Sequence, residues 1–133
     1  MKVLRYLWQD GVVHLVPADR RHRRILDEER VCTAIGAVGE PTNIAAWAER
    51  FAVVSDPSRL TLLLCIAHAG PISVTDLATA ADMNDTTDSQ SLRLLRAAGT
   101  VTAQREGRII RYELADDQIG QLLDRVNPVA TRA

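Results

Sequence analysis

Apolar side chains recur through the middle and C-terminal parts of this chain with the two periods that secondary structure imposes. Ile44, Ala45, Trp47, Ala48, Phe51 and Val54 fall at helical spacing and predict a first core helix. Ser55-Asp56-Pro57 breaks it: Asp56 suits a helix cap, and Pro57 the first helical position, where a missing N–H costs nothing. Leu60, Leu63, Leu64 and Ala67 line one face of a second helix, which Gly70-Pro71 ends. Ser73-Val74-Thr75-Asp76 has the form of a capping box and opens a short helix to about Ala81, with Val74, Leu77 and Ala78 inward. After a tight turn at Asp82-Met83-Asn84, either Asn84 or Asp85 caps a further helix to about Ala98. Leu92 and Leu95 are its core residues, and Gly99 stops it in the left-handed conformation. Residues 101–105 and 108–114 read as two strands joined at Glu106-Gly107, a hairpin. Asp116 or Asp117 caps a last helix, with Ile119, Leu122, Leu123 and Val126 on one face and Pro128 at its end. Leu60, Leu64, Leu77, Leu92, Leu95 and Leu123 are expected in the core.

The first 43 residues have a different texture. Residues 4–8 and 12–16 are short β-prone runs around the turn pair Asp10-Gly11. A charged stretch, residues 19–30, follows. Arg20, Arg21, His22, Arg23 and Arg24 precede Asp27, Glu28 and Glu29, a spacing that suits a solvated helix with (i, i+4) pairs. Ile25, Cys32 and Ile35 would form its thin apolar side, and Gly36, Gly39 and Pro41 a linker. The predicted organisation is an extension over residues 1–43, a compact block over 44–126 and a tail over 127–133.

Helix, helix, short helix, tight turn, helix, hairpin, helix is the order of the winged helix-turn-helix. The expected fold class is therefore mainly α with a small β-hairpin wing (α+β), preceded by a hairpin and helix in the extension. Only 4% of the 133 residues are aromatic, so the core is aliphatic. The formal net charge of −1 gives the whole chain no pull towards nucleic acid; a nucleic-acid surface must come from local segregation of arginines. No apolar run approaches the roughly 18 residues of a membrane span. No signal-peptide pattern opens the chain, and two distant cysteines do not make a disulfide framework. The expectation is a cytoplasmic protein with reduced thiols.

Several segments resemble the ArsR/SmtB family of bacterial repressors. Residues 55–60, Ser-Asp-Pro-Ser-Arg-Leu, look like that family's Asp-Pro-(Thr/Ser)-Arg segment. Asp76-Leu77-Ala78 matches its short helix, residues 89–99 its reading helix, and Glu106-Gly107-Arg108 to Tyr112 its wing. The resemblance covers roughly residues 44–126. It implies a homodimer paired through the first and last helices, with each reading helix in a major groove of double-stranded DNA at a pseudo-palindromic site.

On the reading helix, Thr86, Thr87, Ser89, Gln90, Ser91 and Arg93 are then the expected DNA contacts. Gln takes adenine, Arg takes guanine, and Ser and Thr serve bases or phosphates. On the wing, Arg105, Arg108 and Arg111 suit phosphate oxygens. Asp88 stands where the family often has a small or apolar residue, and Ser91 where histidine is common. Asp85 and Asp88 are expected on or near the phosphate-facing side, where a carboxylate either accepts from a cytosine amine or repels the backbone; Asp85 serves mainly as the cap, with Asp88 as its capping-box partner the other alternative.

The metal positions that the family uses are not filled. Ser73 and Thr75 stand where one site has thiols; Asp116 matches a ligand of another, but Gln118 replaces its histidine. His14, His22, Cys32, Cys65 and His68 remain. Cys65 and His68 are three apart on one helix, so the metal candidates are Cys32, Cys65 and His68, with a thiol switch through the same cysteines as an alternative. The inducer stays unknown. An enzyme is disfavoured, because the chain has no glycine-rich phosphate loop, no nucleophile elbow and no histidine-rich metal motif. The reading is a DNA-binding regulator, with a protein-interaction module on the same scaffold as the alternative. Asp85, Asp88 and the apolar residues Leu4, Tyr6, Leu7 and Trp8 motivate that alternative, although the expected role of those four apolar residues is to complete the dimer core by packing on the outer helices.

Overall fold

The computed structural model describes residues 6–7, 13–14, 16–20 and 22–126. The turn Asp10-Gly11, Arg21, Pro128, the tail and the side chains of Leu4, Tyr6, Leu7, Trp8 and His14 lie outside the described residues. The chain divides into two compact units, Met1–Trp47 and Ala48–Ala133.

In the first unit, β1 (Tyr6–Leu7) pairs antiparallel with β2 (Val13–His14), Tyr6 opposite His14. A 3₁₀ turn covers Ala18–Arg20. The helix α1 is Glu28–Val38, not residues 19–30. Asp27 caps it, its carboxylate accepting from the Arg30 N–H at 3.1 Å. Glu28 and Glu29 fill its first turn. Acidic groups suit the positive end of a helix and arginines do not, so Arg20, Arg23 and Arg24 lie outside α1. Cys32 is buried on α1, and Ile25 and Ile35 are half-buried. Gly36 lies inside α1 and Pro41 opens α2 (Pro41–Val54), so neither is linker.

The second unit carries the rest. Asp56 caps α3 (Pro57–Ala69), accepting from Arg59 N–H at 3.0 Å. The Arg59 guanidinium donates to the carbonyls of Val53 (2.9 Å) and Ala52 (3.0 Å), which closes the end of α2. Leu62, Leu63 and Ile66 are the buried residues of α3, while Leu60, Leu64 and Ala67 are only partly buried. The helix is apolar nearly all round because α4, α5, α6 and the sheet pack around it, so no single face marks its core side.

Ile72–Ser73 form β3, which the sequence reading leaves out. It pairs with the hairpin β4 (Val101–Glu106) and β5 (Ile109–Leu114) in the order β3-β5-β4. Gly70 permits the approach: a Cβ there would lie 2.6 Å from the Ile66 carbonyl oxygen and 3.3 Å from that of Tyr112. Between β3 and the hairpin come α4 (Val74–Ala81) and α5 (Asp85–Ala97). The core joins Leu62, Leu63, Ile66, Leu77, Leu92, Leu95, Val101, Ile119 and Leu123. Burial of each of these aliphatic side chains stabilises the fold by about 1.5–3 kcal/mol.

Asp116 caps α6 (Asp117–Val126), one carboxylate oxygen accepting from the N–H groups of Gln118 (3.0 Å) and Ile119 (3.3 Å). Its other oxygen receives Arg50 Nε at 3.0 Å. Ile119 and Leu123 are buried, Leu122 is half-buried and Val126 is exposed, so Val126 does not join the core of this subunit. Among the described residues, no single helix is long and apolar enough to cross a membrane.

Candidate nucleic-acid interface

Two caps and a left-handed turn set the angle between α4 and α5. Ser73 Oγ accepts from the Asp76 N–H at 3.2 Å and starts α4. Asp82 ends it with φ +53°, a left-handed conformation that a short polar side chain tolerates. Asn84, not Asp85, caps α5: its Oδ1 accepts from the Thr87 N–H at 2.9 Å. Asp85 is the first residue of the helix and is exposed.

The buried side of α5 is Asp88, Ser91, Leu92 and Leu95, spaced i, i+3, i+4, i+7. The opposite side presents Thr86, Ser89, Gln90 and Arg93 with the same spacing, all exposed, and Thr87 half-buried beside them. Five of the six expected reading residues therefore share an accessible side. Ser91 does not; it faces the core, because it stands four residues before Leu95.

Asp88 also differs from its expected place. Its carboxylate is fully buried, not near the phosphate-facing side, and neither oxygen has a hydrogen-bond partner among the described residues. Burial pushes its pKa up from the usual carboxylate value, and the charge of Asp85 adds to the shift. Burial, and then the charge of Asp88, push the Cys65 thiol up in turn. The spacing carries the signal, since Asp88 lies four residues before the buried Leu92 and so shares its side of α5.

The wing turns at Gly107, whose φ of +60° a side chain would resist. Its three arginines differ. Arg111 Nη1 bonds Glu106 Oε2 at 2.6 Å. Arg105 Nε donates to the Gly107 carbonyl at 3.1 Å, which stiffens the tip. Arg108 is exposed and makes no ion pair among the described residues. Residues 108–111 and residues 73–76 line a groove of about 460 Å³, so the wing stands beside the start of α4.

The other chemical candidates are dispersed. Ser73 is used as a cap, and Asp116 as a cap and ion-pair partner. Cys65 is half-buried on α3, His68 is exposed in its last turn, and Cys32 belongs to the other unit. Among the described residues, no three of His, Cys, Asp or Glu gather as a metal-ligand group.

No family model matches the chain. It is 43% identical over 80 residues to the HTH-type transcriptional regulator NmtR of Mycobacterium tuberculosis, covering 60% of this chain and 66% of that protein. It is 38% identical over 79 residues to the transcriptional repressor SmtB homolog of Synechocystis, covering 59% of each. The chain thus spans about three-fifths to two-thirds of the length of these curated relatives. Among solved structures, it is similar to the homodimeric winged helix-turn-helix DNA-binding domain of Mb0332 from Mycobacterium bovis, a possible ArsR-family transcriptional regulator. The TM-score is 0.56 and the identity 32%, over 67% of this chain and 82% of that one.

Proposed function

Because the chain belongs to the ArsR/SmtB family of winged helix-turn-helix transcriptional regulators, we propose that it binds double-stranded DNA as a homodimer and represses transcription from a pseudo-palindromic operator. The observation that carries this reading is the side of α5 opposite the core. Thr86, Ser89, Gln90 and Arg93 form one accessible polar stripe on a helix whose other side is locked by Leu92 and Leu95. Gln90 and Arg93 have the donor and acceptor geometry to read adenine and guanine edges, and Thr86, Thr87 and Ser89 to take phosphates or bases. Arg108 is the wing cation that remains for the adjacent backbone, with Arg105 beside it.

Pairing through α2 and α6 is supported by the apolar side chains exposed there, Phe51 and Val126. The regulator acts in the cytoplasm and catalyses no reaction. With Asp88 inside the core, one of the two carboxylates that favoured a protein partner is removed from the surface, and DNA is the better match.

Fluorescence anisotropy with DNA upstream of the protein's own coding sequence tests this reading, run across a salt series beside a random duplex. Binding at least 10³-fold tighter than to the random duplex, falling linearly in log K against log salt, is the expected result. Equal affinity for both duplexes would remove the operator reading.

A further inference from the structure

We propose that Asp88 is a proton-linked positioning residue for the reading helix: α5 is seated for DNA with this carboxyl protonated, so the protein takes up a proton as it binds its operator and releases the operator as pH rises. This rests on the DNA-binding reading above and adds a form of regulation to it.

Asp88 stands in the first turn of α5, directly between Thr87 and Ser89. It is 0% exposed, neither oxygen has a hydrogen-bond partner among the described residues, and it makes no ion pair among them. An ionised carboxylate without a partner is among the costliest groups to hold in a core, and the protonated acid costs far less. The positive end of α5 favours negative charge, but the Thr87 N–H there is already bonded to Asn84 Oδ1 at 2.9 Å, and Asp85 occupies the first helical position.

The helices α3 and α4 and the strand β4 pack against α5. From α5 itself, the charge of Asp85 opposes the ionisation of Asp88. From α3, the Cys65 thiol is held back in turn by Asp88. The Arg59 guanidinium of α3 is committed to the carbonyls of Val53 and Ala52. His68 on α3, Asp76 on α4, Asp82 just after it, Arg105 and Glu106 on β4, and Arg93 and Arg96 on α5 are all exposed. None of these groups bonds to Asp88 or pairs with it.

Seating α5 is therefore coupled to a proton. With the proton on, Asp88 stays beneath the helix, and Leu92 and Leu95 hold Thr86, Ser89, Gln90 and Arg93 outward. With the proton off, the carboxylate reaches water only by lifting the first turns of α5, and residues 86–90 are the ones that move. The seated state holds the proton more tightly than an exposed carboxyl does, so rising pH favours the lifted state. A duplex on α5 acts in the same direction, because it selects the seated state and its phosphates oppose a negative charge beneath the helix. Operator affinity then falls by up to about tenfold per pH unit per protomer over the range in which Asp88 of the free protein ionises.

The test uses the full chain, Asp88→Asn and Asp88→Val, on the duplex that the unaltered protein prefers, at constant ionic strength from about pH 5 to about pH 9. The affinity of the unaltered protein divided by that of Asp88→Asn is expected to fall at least about tenfold from the low end to the high end. Taking the ratio removes His68 and every other group that titrates in both proteins. Asp88→Val should give the same profile as Asp88→Asn, so either variant serves if the other does not fold. Calorimetry in two buffers of different ionisation enthalpy, at a pH within the fall, should show more proton uptake on binding by the unaltered protein than by either variant. A ratio constant with pH, beside an unaltered protein that binds its site, overturns the proton link alone. Equal proton uptake by all three proteins also overturns it. Failure of the unaltered protein to bind any duplex at any pH overturns the DNA reading together with the proton link.

Discussion

Arg111 and Glu106 face each other on the wing, Nη1 to Oε2 at 2.6 Å, and this pairing sets Arg111 apart from Arg105 and Arg108, which make no ion pair among the described residues. Arg111 is spent on Glu106, while Arg108 beyond the turn makes no ion pair among the described residues. Changing Arg108 to Ala should therefore lower the magnitude of the salt slope by about 1 per protomer and weaken specific and random duplexes alike. Changing Glu106 to Gln releases Arg111 and should steepen the slope by up to about 1 per protomer. Anisotropy titrations at four or five salt concentrations measure both, and an Arg108→Ala slope equal to that of the unaltered protein would exclude the wing contact.

Gln90 and Ser91 are neighbours in sequence on opposite sides of α5. Gln90→Ala should cost about 1–3 kcal/mol of binding to the preferred site and almost nothing on random DNA, because a bidentate base contact is lost. Ser91→Ala should leave the ratio between the two duplexes unchanged, since that hydroxyl faces the core. The reverse pattern in competition titrations would mean that α5 is rotated relative to this structure.

Asp88 is a buried carboxyl without a hydrogen-bond partner among the described residues, so it works against folding. Replacing it with Val should stabilise the protein by about 1–3 kcal/mol near neutral pH. The pH dependence has a definite sign. Below the ordinary carboxylate range, both folded and unfolded chains hold the proton and the penalty is absent. As pH rises through that range, the unfolded chain releases its proton first, because the pKa is raised in the folded state, and stability falls until the folded carboxyl ionises too. The gain from Asp88→Val, followed by urea unfolding, should grow from about pH 4 upwards and then level off. A gain that shrank with rising pH would contradict the burial of this group.

The same carboxylate acts on Cys65, whose thiol is pushed up first by burial and then by Asp88. Asp88→Asn should bring the thiol back towards its ordinary value and speed its alkylation at pH 8 several-fold. An unchanged rate would show that burial alone sets the thiol's reactivity.

Asp116 does two things, and two substitutions separate them. Asp116→Asn keeps an acceptor for the cap of α6 but loses the charge facing Arg50, and should cost under about 1 kcal/mol. Asp116→Ala loses both and should cost about 1–2 kcal/mol more. Chemical denaturation of both variants checks the order.

The elements of the winged helix were legible wherever local chemistry decides them. Asp56 before Pro57, Ser73 before α4 and Asn84 before α5 cap as their side chains dictate, and Gly107 marks the wing turn. Three features were not legible, for physical reasons. β3 is two residues long, too short for alternation to show, and exists because β5 passes beside it. The core side of α3 was misplaced onto Leu60 and Leu64 because that helix is packed nearly all round. On α5 the residues before Leu92 are all polar, so the rule that polar means exposed put Ser91 and Asp88 outward, although counting back four from Leu95 and Leu92 puts both inward. The helix of the extension starts at Glu28, because the preference of a helix start for acids outweighs the pair spacing of the arginines before it. Of the residues expected at the DNA, Thr86, Ser89, Gln90, Arg93 and Arg108 are exposed.

The central claim is that two copies of α5 read two half-sites on one duplex, and selection from a random-sequence library with the purified protein tests it most directly. The account predicts an enriched inverted repeat with half-site centres about 10 bp, one helical turn, apart or a multiple of it, and loss of that repeat with Gln90→Ala. Recovery of no sequence above background at low salt, from protein that is folded and dimeric, would contradict it and give the scaffold to a protein partner instead.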